Sequence, residues 1–313
     1  MEINATERQR QIYLNGISGQ KPLLPIDLEA LAGLAEQKMS TEGFAYVAGG
    51  AGKGQTIQNN RTAFQNWQIV PRMLRDVSVR DTSIELFGKK LPTPLLTCPI
   101  GVLELAHPEA DLAVARATAK YKIPMIFSNQ ASFSMEECAA EMGDVPRWFQ
   151  LYWSKSNDLI SSFVERAERC GCSAIVVTLD TNILGWRTQD LDLAYLPFLQ
   201  GKGIAQYVSD PVFQRLLDEP EEEAPPMKRR LNADMLSSIY QLMSNYPGGF
   251  FQNLKSQRPL KAVRKFINIF SRPSLTWDEL PFLRAQTQLP ILLKGILHPE
   301  DAKKAIDYGM NGI

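Results

Sequence analysis

The chain has 313 residues, of which 44% are hydrophobic, and this length suits either two domains or one large α/β barrel. Lysine plus arginine and aspartate plus glutamate both number 34, so the net charge is zero and nothing indicates a nucleic acid or an anionic membrane as partner. The polar start lacks the apolar segment of a signal peptide, and no apolar run approaches the ~20 residues of a membrane span.

The four cysteines argue against a disulfide framework and against a zinc site. Cys170 and Cys172 form a Cys-x-Cys pair with no histidine nearby, and Cys98 and Cys138 stand apart from it. We therefore expect reduced thiols in a cytoplasmic protein that holds no metal.

The first 70 residues are predicted to form a helical segment. Apolar residues recur at helical spacing from Leu28 to Val47. The glycines that follow, from Gly49 to Gly54, are not preceded by a buried strand. They indicate a turn between helices rather than a phosphate-binding loop.

From Pro92 onward, short apolar runs alternate with amphipathic stretches, which is typical of parallel strands covered by helices. The ends of the first four runs are spaced by about the length of a βα unit. The predicted helices between them are Asp111–Tyr121, Met135–Met142 and Asp158–Arg169. The five predicted strands are Pro94–Cys98, Pro124–Ser128, Trp148–Tyr152, Ala174–Thr178 and Pro290–Lys294.

A much longer interval separates the fourth and fifth runs. It predicts an insertion at about residues 188–272 within a unit that covers residues 71–313. A long insertion after a barrel strand lies on the face where βα loops build active sites, so a lid or an oligomer contact is one interpretation. The other is a solvated loop, which we prefer for the acidic run Asp218–Pro226.

The spacing alone leaves a doubly wound sheet and a (β/α)8 barrel open. A dinucleotide-binding sheet would show Gly-x-Gly-x-x-Gly after its first strand, whereas this chain has Cys98-Pro99-Ile100-Gly101-Val102. Polar residues at successive strand ends are typical of a barrel active site. Here they are Ser128, Gln150, Tyr152, Thr178, Asp180 and Lys294.

Several motifs, in order and spacing, resemble the FMN-dependent α-hydroxy-acid oxidase and dehydrogenase family. The resemblance runs from about Ile26 to the last residue, and Asp192–Phe213 is similar to the long insertion of the lactate 2-monooxygenase branch. The motifs are Asn60–Phe64, Pro71–Ser78, Phe149–Tyr152, Thr178–Thr181, Gly185–Arg187, Leu293–Ile296 and Pro299–Ala302.

The resemblance implies a (β/α)8 barrel with FMN at the carboxyl ends of its strands, of which this chain would hold the first five strands and the start of the sixth. Pro99, Ile100 and Gly101 match the loop whose backbone meets the flavin near N5. The family usually has Pro-Thr-Ala there, so Ile100 lacks a hydroxyl, and Gly101 matches the glycine of the monooxygenase branch.

Four strand-end residues are implied to bind the flavin ring. Ser128, Gln150 and Thr178 match residues that hydrogen-bond the isoalloxazine edge. Lys294 matches the lysine near flavin N1 and O2, where a positive charge stabilises the anionic reduced flavin.

For the substrate, Tyr46 and Arg187 match groups that bind the carboxylate of an α-hydroxy acid. Tyr152 matches the tyrosine that contacts the substrate oxygen, and Asp180 matches the aspartate that pairs with the catalytic histidine. Gln130 stands where many members place an aromatic residue over the substrate. Taken singly, most of these residues have simple structural explanations as turn, strand or capping residues.

The family continues past Gly312 and Ile313 into a segment that brings the catalytic histidine and a second carboxylate-binding arginine. The two histidines of this chain, His107 and His298, each precede a proline and are interpreted as turn residues. We therefore expect the chain as given not to turn over 2-hydroxy acids.

For the intact parent, the resemblance implies FMN-dependent oxidation of a small L-2-hydroxy acid, with L-lactate the first candidate, oxygen as acceptor and oxidative decarboxylation to the shorter acid. An oxidase or dehydrogenase that releases the keto acid is the alternative within the class. A non-catalytic truncated fragment is the alternative from another class. We expect a homo-oligomer when intact, with no nucleic-acid or membrane partner.

Overall fold

The computed structural model describes residues 5–220 and 232–313. The stretch from Leu28 to Val47 forms two helices, because the Ser40 hydroxyl accepts the backbone N–H of Gly43 at 3.0 Å and begins a new one. As predicted, the glycines lie in the turn before the next helix. The helices of this part are α1 (Ala5–Ile17), α2 (Ala30–Glu36), α3 (Thr41–Ala48) and α4 (Gln55–Thr62).

A two-stranded hairpin, which the sequence did not predict, precedes the main sheet. Its antiparallel strands are β1 (Ile84–Leu86) and β2 (Lys89–Leu91). Phe87 and Gly88 form the turn with φ of 50° and 70°, the left-handed values that a two-residue hairpin turn requires.

The main sheet has four parallel strands whose spatial order is their chain order. The strands are β3 (Met125–Phe127), β4 (Arg147–Tyr152), β5 (Ile175–Thr178) and β6 (Ile291–Lys294). Sequential order is how a barrel winds, whereas a doubly wound sheet reverses direction. The predicted order is confirmed for these four, and the described residues do not close a barrel. Helix α5 (Ala110–Tyr121) precedes β3, α6 (Met135–Met142) lies between β3 and β4, and α7 (Asn157–Arg169) lies between β4 and β5.

The predicted strand at Pro94–Cys98 is reduced to a single parallel bridge. This segment lies beside β3 but makes only one bridge, between Thr97 and Met125. Around this bridge, the Thr97 N–H donates to the Pro124 carbonyl oxygen at 3.0 Å, and the Thr97 carbonyl oxygen accepts from Ile126 at 3.3 Å. At the other edge, a single bridge joins Leu292 to Gly312, where the sixth strand was expected to start.

The described part of the stretch between β5 and β6 is largely helical. Its longest regular helices are amphipathic, and α13 buries Ala262, Val263 and Phe266. Of the acidic run, Asp218–Pro220 is exposed and the rest lies outside the described residues. The helices are α8 (Thr188–Asp192), α9 (Ala205–Val208), α10 (Pro211–Leu216), α11 (Ala233–Asn245), α12 (Phe250–Ser256), α13 (Arg258–Ile269) and α14 (Leu280–Gln286), and α15 (Pro299–Asp307) follows β6.

The two faces of the main sheet bury different clusters, because successive strand residues point to opposite sides. One face packs Phe149, Leu151 and their strand neighbours into the main core against the helices. The other face packs Trp148 and Val176 against Phe87 of the hairpin. Polar residues follow at the carboxyl ends of the strands.

A buried ion pair joins the helices of the insertion to α7. Arg166 donates to Asp210 at 3.1 Å and to the carbonyl oxygen of Gln206 at 2.8 Å. Its Nε and Nη2 atoms also form a bidentate ion pair with Glu136. The Asp210 side chain is 0% exposed, also accepts from Ser162, and caps α10. None of the helices in residues 5–220 and 232–313 has the length and apolar character to cross a bilayer.

We expect Arg166→Leu to lower the free energy of unfolding by about 3 kcal/mol or more, because it leaves the Asp210 carboxylate buried without its cation. Arg169→Leu is the matched control: Arg169 lies on the same helix in an exposed pair with Glu165 at 3.5 Å, and its loss should change stability by at most about 0.5 kcal/mol. Urea unfolding followed by circular dichroism measures both. Equal losses in the two variants would contradict the anchoring role.

Candidate active site

Three polar side chains share one row at the carboxyl end of the main sheet. The strand register pairs Tyr152 of β4 with Thr178 of β5, and Thr178 with Lys294 of β6. Directly paired residues of neighbouring strands point to the same face. The structure therefore brings together three predicted site residues that are far apart in sequence.

A chain of buried hydrogen bonds joins the ends of β4 and β5 to Asn129 and, through it, to Tyr207 of the insertion. The Gln150 amide Nε2 donates to Thr178 Oγ1 at 2.9 Å, and the backbone N–H of Asn129 donates to Gln150 Oε1 at 3.0 Å. Asn129 Oδ1 in turn accepts from the backbone N–H of Tyr152 at 3.3 Å and from the Tyr207 hydroxyl at 3.0 Å. Asn129, Gln150, Thr178 and Tyr207 are all buried.

The direction of every bond in this chain is fixed. A backbone N–H can only donate, so Gln150 must turn its oxygen toward Asn129 and its nitrogen toward Thr178. Thr178 Oγ1 therefore accepts, and its own proton has no acceptor in the described part of the chain. The same is true of the second Nε2 proton of Gln150. The strand ends present hydrogen-bond donors, which suits a carbonyl oxygen or an anion.

Gly101 packs tightly against the loop that follows β3. The Val102 N–H donates to the carbonyl oxygen of Gln130 at 2.9 Å, and Gln130 N–H donates to Ser128 Oγ at 3.1 Å. A methyl group at Gly101 would lie 3.2 Å from Gln130 Cβ and 3.3 Å from its carbonyl oxygen. Gln130 therefore connects the loop from Pro99 to Gly101 with the predicted ring-edge residue Ser128. The side chain of Ile100 is exposed.

Tyr46 and Arg187 lie against each other. The guanidinium carbon is 5.0 Å from the centre of the Tyr46 ring, Nη2 donates to the Tyr46 carbonyl oxygen, and Nε donates to Asp190. These contacts fix the arginine and leave Nη1 for a ligand. Burial raises the pKa of Tyr46 to about 12, although the Arg187 charge acts in the opposite direction. The Tyr46 hydroxyl therefore stays protonated at neutral pH and can donate.

Asp180 and Lys294 form a loose ion pair at the end of β5 and β6. Their charged atoms are 3.9 Å apart, and the two side chains are 48% and 44% exposed. Gly295, at φ 102°, lets the backbone pass close to Asp180, since a Cβ there would lie 2.9 Å from Asp180 Cβ. Burial raises the pKa of Tyr152, and its hydrogen bond with Thr181 partly opposes this, so its hydroxyl also stays protonated.

A cleft of about 700 Å³ opens beside these residues. Of the predicted site residues, Tyr46, Tyr152 and Arg187 line it. Gln130 lines it as well. Asp180, Lys294, the ring-edge residues and the Pro99–Gly101 loop lie outside its lining.

Sequence reasoning missed most of the cleft wall. The insertion supplies Tyr195, Phe198 and Phe266, and the Phe198 ring meets Tyr46 edge-on at 6.4 Å. It also missed Asn129 and Tyr207. Asn129 directly follows the predicted residue Ser128, which was its only local signal, and Tyr207 had none.

The comparisons with known proteins agree with one another. A family described as FMN-dependent dehydrogenase matches residues 35–313. An L-lactate oxidase of Lysinibacillus sphaericus is 38% identical over 96% of this chain and 68% of its own length. A 4-hydroxymandelate oxidase of Amycolatopsis orientalis is 32% identical over 92% of this chain and 68% of its own length.

Among solved structures, a mandelate oxidase with (S)-4-hydroxymandelic acid superimposes with a TM-score of 0.70 at 31% identity, over 92% of this chain and 69% of that one. The chain belongs to the FMN-dependent dehydrogenase family. It spans about two thirds of the length of these relatives.

The residues present fit the FMN that this family uses. Thr178 and Gln150 offer free donor protons at the strand ends, and Lys294 adds a positive charge in the same row. Asn129 Nδ2, beside Gln150, is buried without a hydrogen-bond partner among the described residues. A buried donor without a partner costs about 1–3 kcal/mol, so a bound group with acceptor atoms would relieve it.

We expect Tyr207→Phe to weaken FMN binding severalfold and to speed amide hydrogen exchange at Asn129 and Tyr152. The substitution keeps the ring packing and removes only the hydroxyl that holds Asn129 Oδ1, a bond worth about 0.5–1.5 kcal/mol. Tyr240→Phe, at an exposed tyrosine of α11, is the control. The account fails here if hydrogen exchange at these two amides is the same in both variants.

Proposed function

We propose that this chain carries the flavin-ring and carboxylate-binding parts of an FMN-dependent L-2-hydroxy-acid oxidoreductase. The observation that carries the proposal is the row of Tyr152, Thr178 and Lys294 beside a cleft that holds Tyr46 and Arg187. L-Lactate is the proposed substrate of the intact parent, with oxygen as acceptor and the decarboxylated shorter acid as product. When bound, FMN would take up the two electrons that leave the α-carbon of the substrate.

Substrate binding is proposed to begin at the carboxylate. Arg187 is held by Asp190 and by the Tyr46 carbonyl oxygen, so its remaining N–H groups are fixed in direction. The protonated Tyr46 hydroxyl supplies a further donor beside it. A charge-assisted contact of this kind contributes about 1.5–3 kcal/mol.

The reacting end is proposed to lie at Tyr152, Asp180 and Lys294. The protonated Tyr152 hydroxyl would donate to the substrate oxygen. The Asp180 carboxylate would stabilise the positive charge of a base that has taken the α-hydroxyl proton. Lys294 would place its charge where negative charge develops on the ring edge, together with the donors of Gln150 and Thr178.

The chain itself places no histidine at this site. The Nδ1 atoms of His107 and His298 accept backbone N–H groups of Glu109 and Glu300 at exposed helix starts. We therefore propose that the chain as given does not turn over 2-hydroxy acids, because base catalysis contributes ~10²–10⁴-fold. We also propose that the intact protein is a cytoplasmic homo-oligomer. Residues 1–70 would form a helical segment, and residues 71–313 would form part of a barrel.

Release of the keto acid is the second candidate outcome, and relatives described as L-lactate oxidases favour it. A non-catalytic fragment is the third. An intact mass of the native protein well above 35.1 kDa would favour the enzyme over this third candidate.

The proposal is tested by mixing the purified chain, FMN and L-lactate without oxygen and following flavin absorbance. We expect a spectral change on lactate binding, and Arg187→Met should weaken that binding at least about tenfold. Arg169→Met, at an exposed arginine on α7, is the control. No response to lactate, or equal binding by both variants, would contradict the function. Bleaching of the flavin at ~1 s⁻¹ or faster would contradict the proposed lack of turnover.

In a longer form of the protein that supplies the base, we expect Gly101→Ala to shift product from the decarboxylated acid toward keto acid and peroxide. The added methyl group would press on Gln130 at 3.2 Å and displace the loop beside the cleft by a few tenths of an ångström. Gly16→Ala, where no atom lies within 4 Å, is the control. Product analysis by chromatography measures the ratio, and an unchanged ratio counts against the role of Gly101.

A further inference from the structure

The cleft is much larger than L-lactate requires. Its volume of about 700 Å³ is in the range of sites that enclose a drug-sized ligand, whereas L-lactate carries only a methyl group beyond its reacting carbon. Tyr46 and Arg187, which lie against each other, occupy one end of the cleft. The rest of the cleft therefore has room for a substrate side chain that extends away from the bound carboxylate.

A row of aromatic rings leads from this end of the cleft to the last residues of α13. Phe198 lies 6.4 Å from Tyr46, measured between ring centres. Phe266 follows at 5.1 Å from Phe198, and Phe270 follows at 5.2 Å from Phe266. All four rings line the cleft. The middle of the cleft thus suits methylene groups, which are stabilised by burial against apolar surface.

The cleft becomes polar again where this row of rings ends. Lys155, Asn182, Asn268 and Ser271 line it there. Lys155 belongs to this end because its backbone N–H donates to the carbonyl oxygen of Ile269 at 2.9 Å. None of the four polar side chains makes a hydrogen bond with residues 5–220 or 232–313. A wall that is polar at both ends and apolar between them fits a ligand with a polar group at each end.

The charge at this far end is positive and uncompensated. An exposed lysine is ordinarily only solvated, but the backbone of Lys155 is fixed beside the cleft, since its carbonyl oxygen also accepts from Arg272 at 2.9 Å. Its ammonium group forms no ion pair within the part of the chain that the structure describes. Asp190 is the only carboxylate among the described residues that line the cleft, and it is bound to Arg187.

We propose that Lys155 binds a second anionic group, and that the cleft takes L-2-hydroxy dicarboxylic acids in which several methylene groups separate the two carboxylates. The proposal rests on the proposed function, since Tyr46 and Arg187 must hold the first carboxylate. The methylene groups lie along the row of rings, and the second carboxylate accepts from the Lys155 ammonium group. The neutral polar groups at the same end supply further donors.

The test compares L-2-hydroxyadipate with its 6-amide, in which a neutral amide of the same shape replaces the second carboxylate. Calorimetric titration of the FMN-loaded chain without oxygen gives both dissociation constants and requires no turnover. We expect the diacid to bind about fivefold more tightly at low salt, and the difference to shrink as salt screens the charge. Lys155→Met should remove the difference, and Lys155→Arg should retain it. Lys122→Met, at the exposed C-terminal end of α5, is the control.

The outcomes separate this proposal from the proposed function. Equal binding of the diacid and the amide by the natural chain overturns the role of Lys155, while L-lactate binding that is lost in Arg187→Met leaves the proposed function standing. If L-lactate, the diacid and the amide all fail to bind, both proposals are wrong. A preference for the diacid that persists in Lys155→Met, with FMN bound more weakly, shows that the lysine serves the cofactor and overturns the proposal. The comparison within the natural chain decides the matter even if a variant does not fold.

Discussion

Two backbone N–H groups, those of Asn129 and Tyr152, set the direction of the hydrogen bonds at the ends of β4 and β5. Because each can only donate, they fix the orientation of the Gln150 and Asn129 amides, and through Gln150 they turn the Thr178 hydroxyl into an acceptor with a free proton. The ends of β4 and β5 therefore present hydrogen-bond donors, the second Nε2 proton of Gln150 and the hydroxyl proton of Thr178. A site of this polarity stabilises negative charge that develops on a bound ring, and Lys294 adds to it from the next strand.

The insertion between β5 and β6 is an integral part of this arrangement. The ion pair of Arg166 and Asp210 joins it to α7, and the Tyr207 hydroxyl joins it to Asn129. With its backbone anchored at these points, the insertion supplies the aromatic wall of the cleft. Its buried contacts argue for a fixed wall rather than a mobile lid.

Short-range sequence patterns predicted the strands of the main sheet and the polar residues at their ends. Apolar runs bounded by helical periodicity gave the order of β3 to β6, and the residues at their ends gave the row of Tyr152, Thr178 and Lys294. At Pro94–Cys98 the same pattern predicted a full strand, whereas the segment pairs with β3 at a single parallel bridge, because apolar character alone does not show how far a segment pairs. It also missed Tyr207, which lies 78 residues from Asn129, the residue it contacts. Such a contact depends on how the helices of the insertion pack, and short-range periodicity in the sequence cannot predict it.

The central claim is that the carboxyl ends of β4 and β5 bind the edge of the flavin ring. A crystal structure of the chain grown with FMN tests it most directly. The account predicts isoalloxazine acceptor atoms within hydrogen-bonding distance of Gln150 Nε2 and Thr178 Oγ1, with Lys294 beside the same edge. A flavin bound elsewhere on the chain, or one whose ring turns a donor N–H toward Gln150 Nε2, would contradict it.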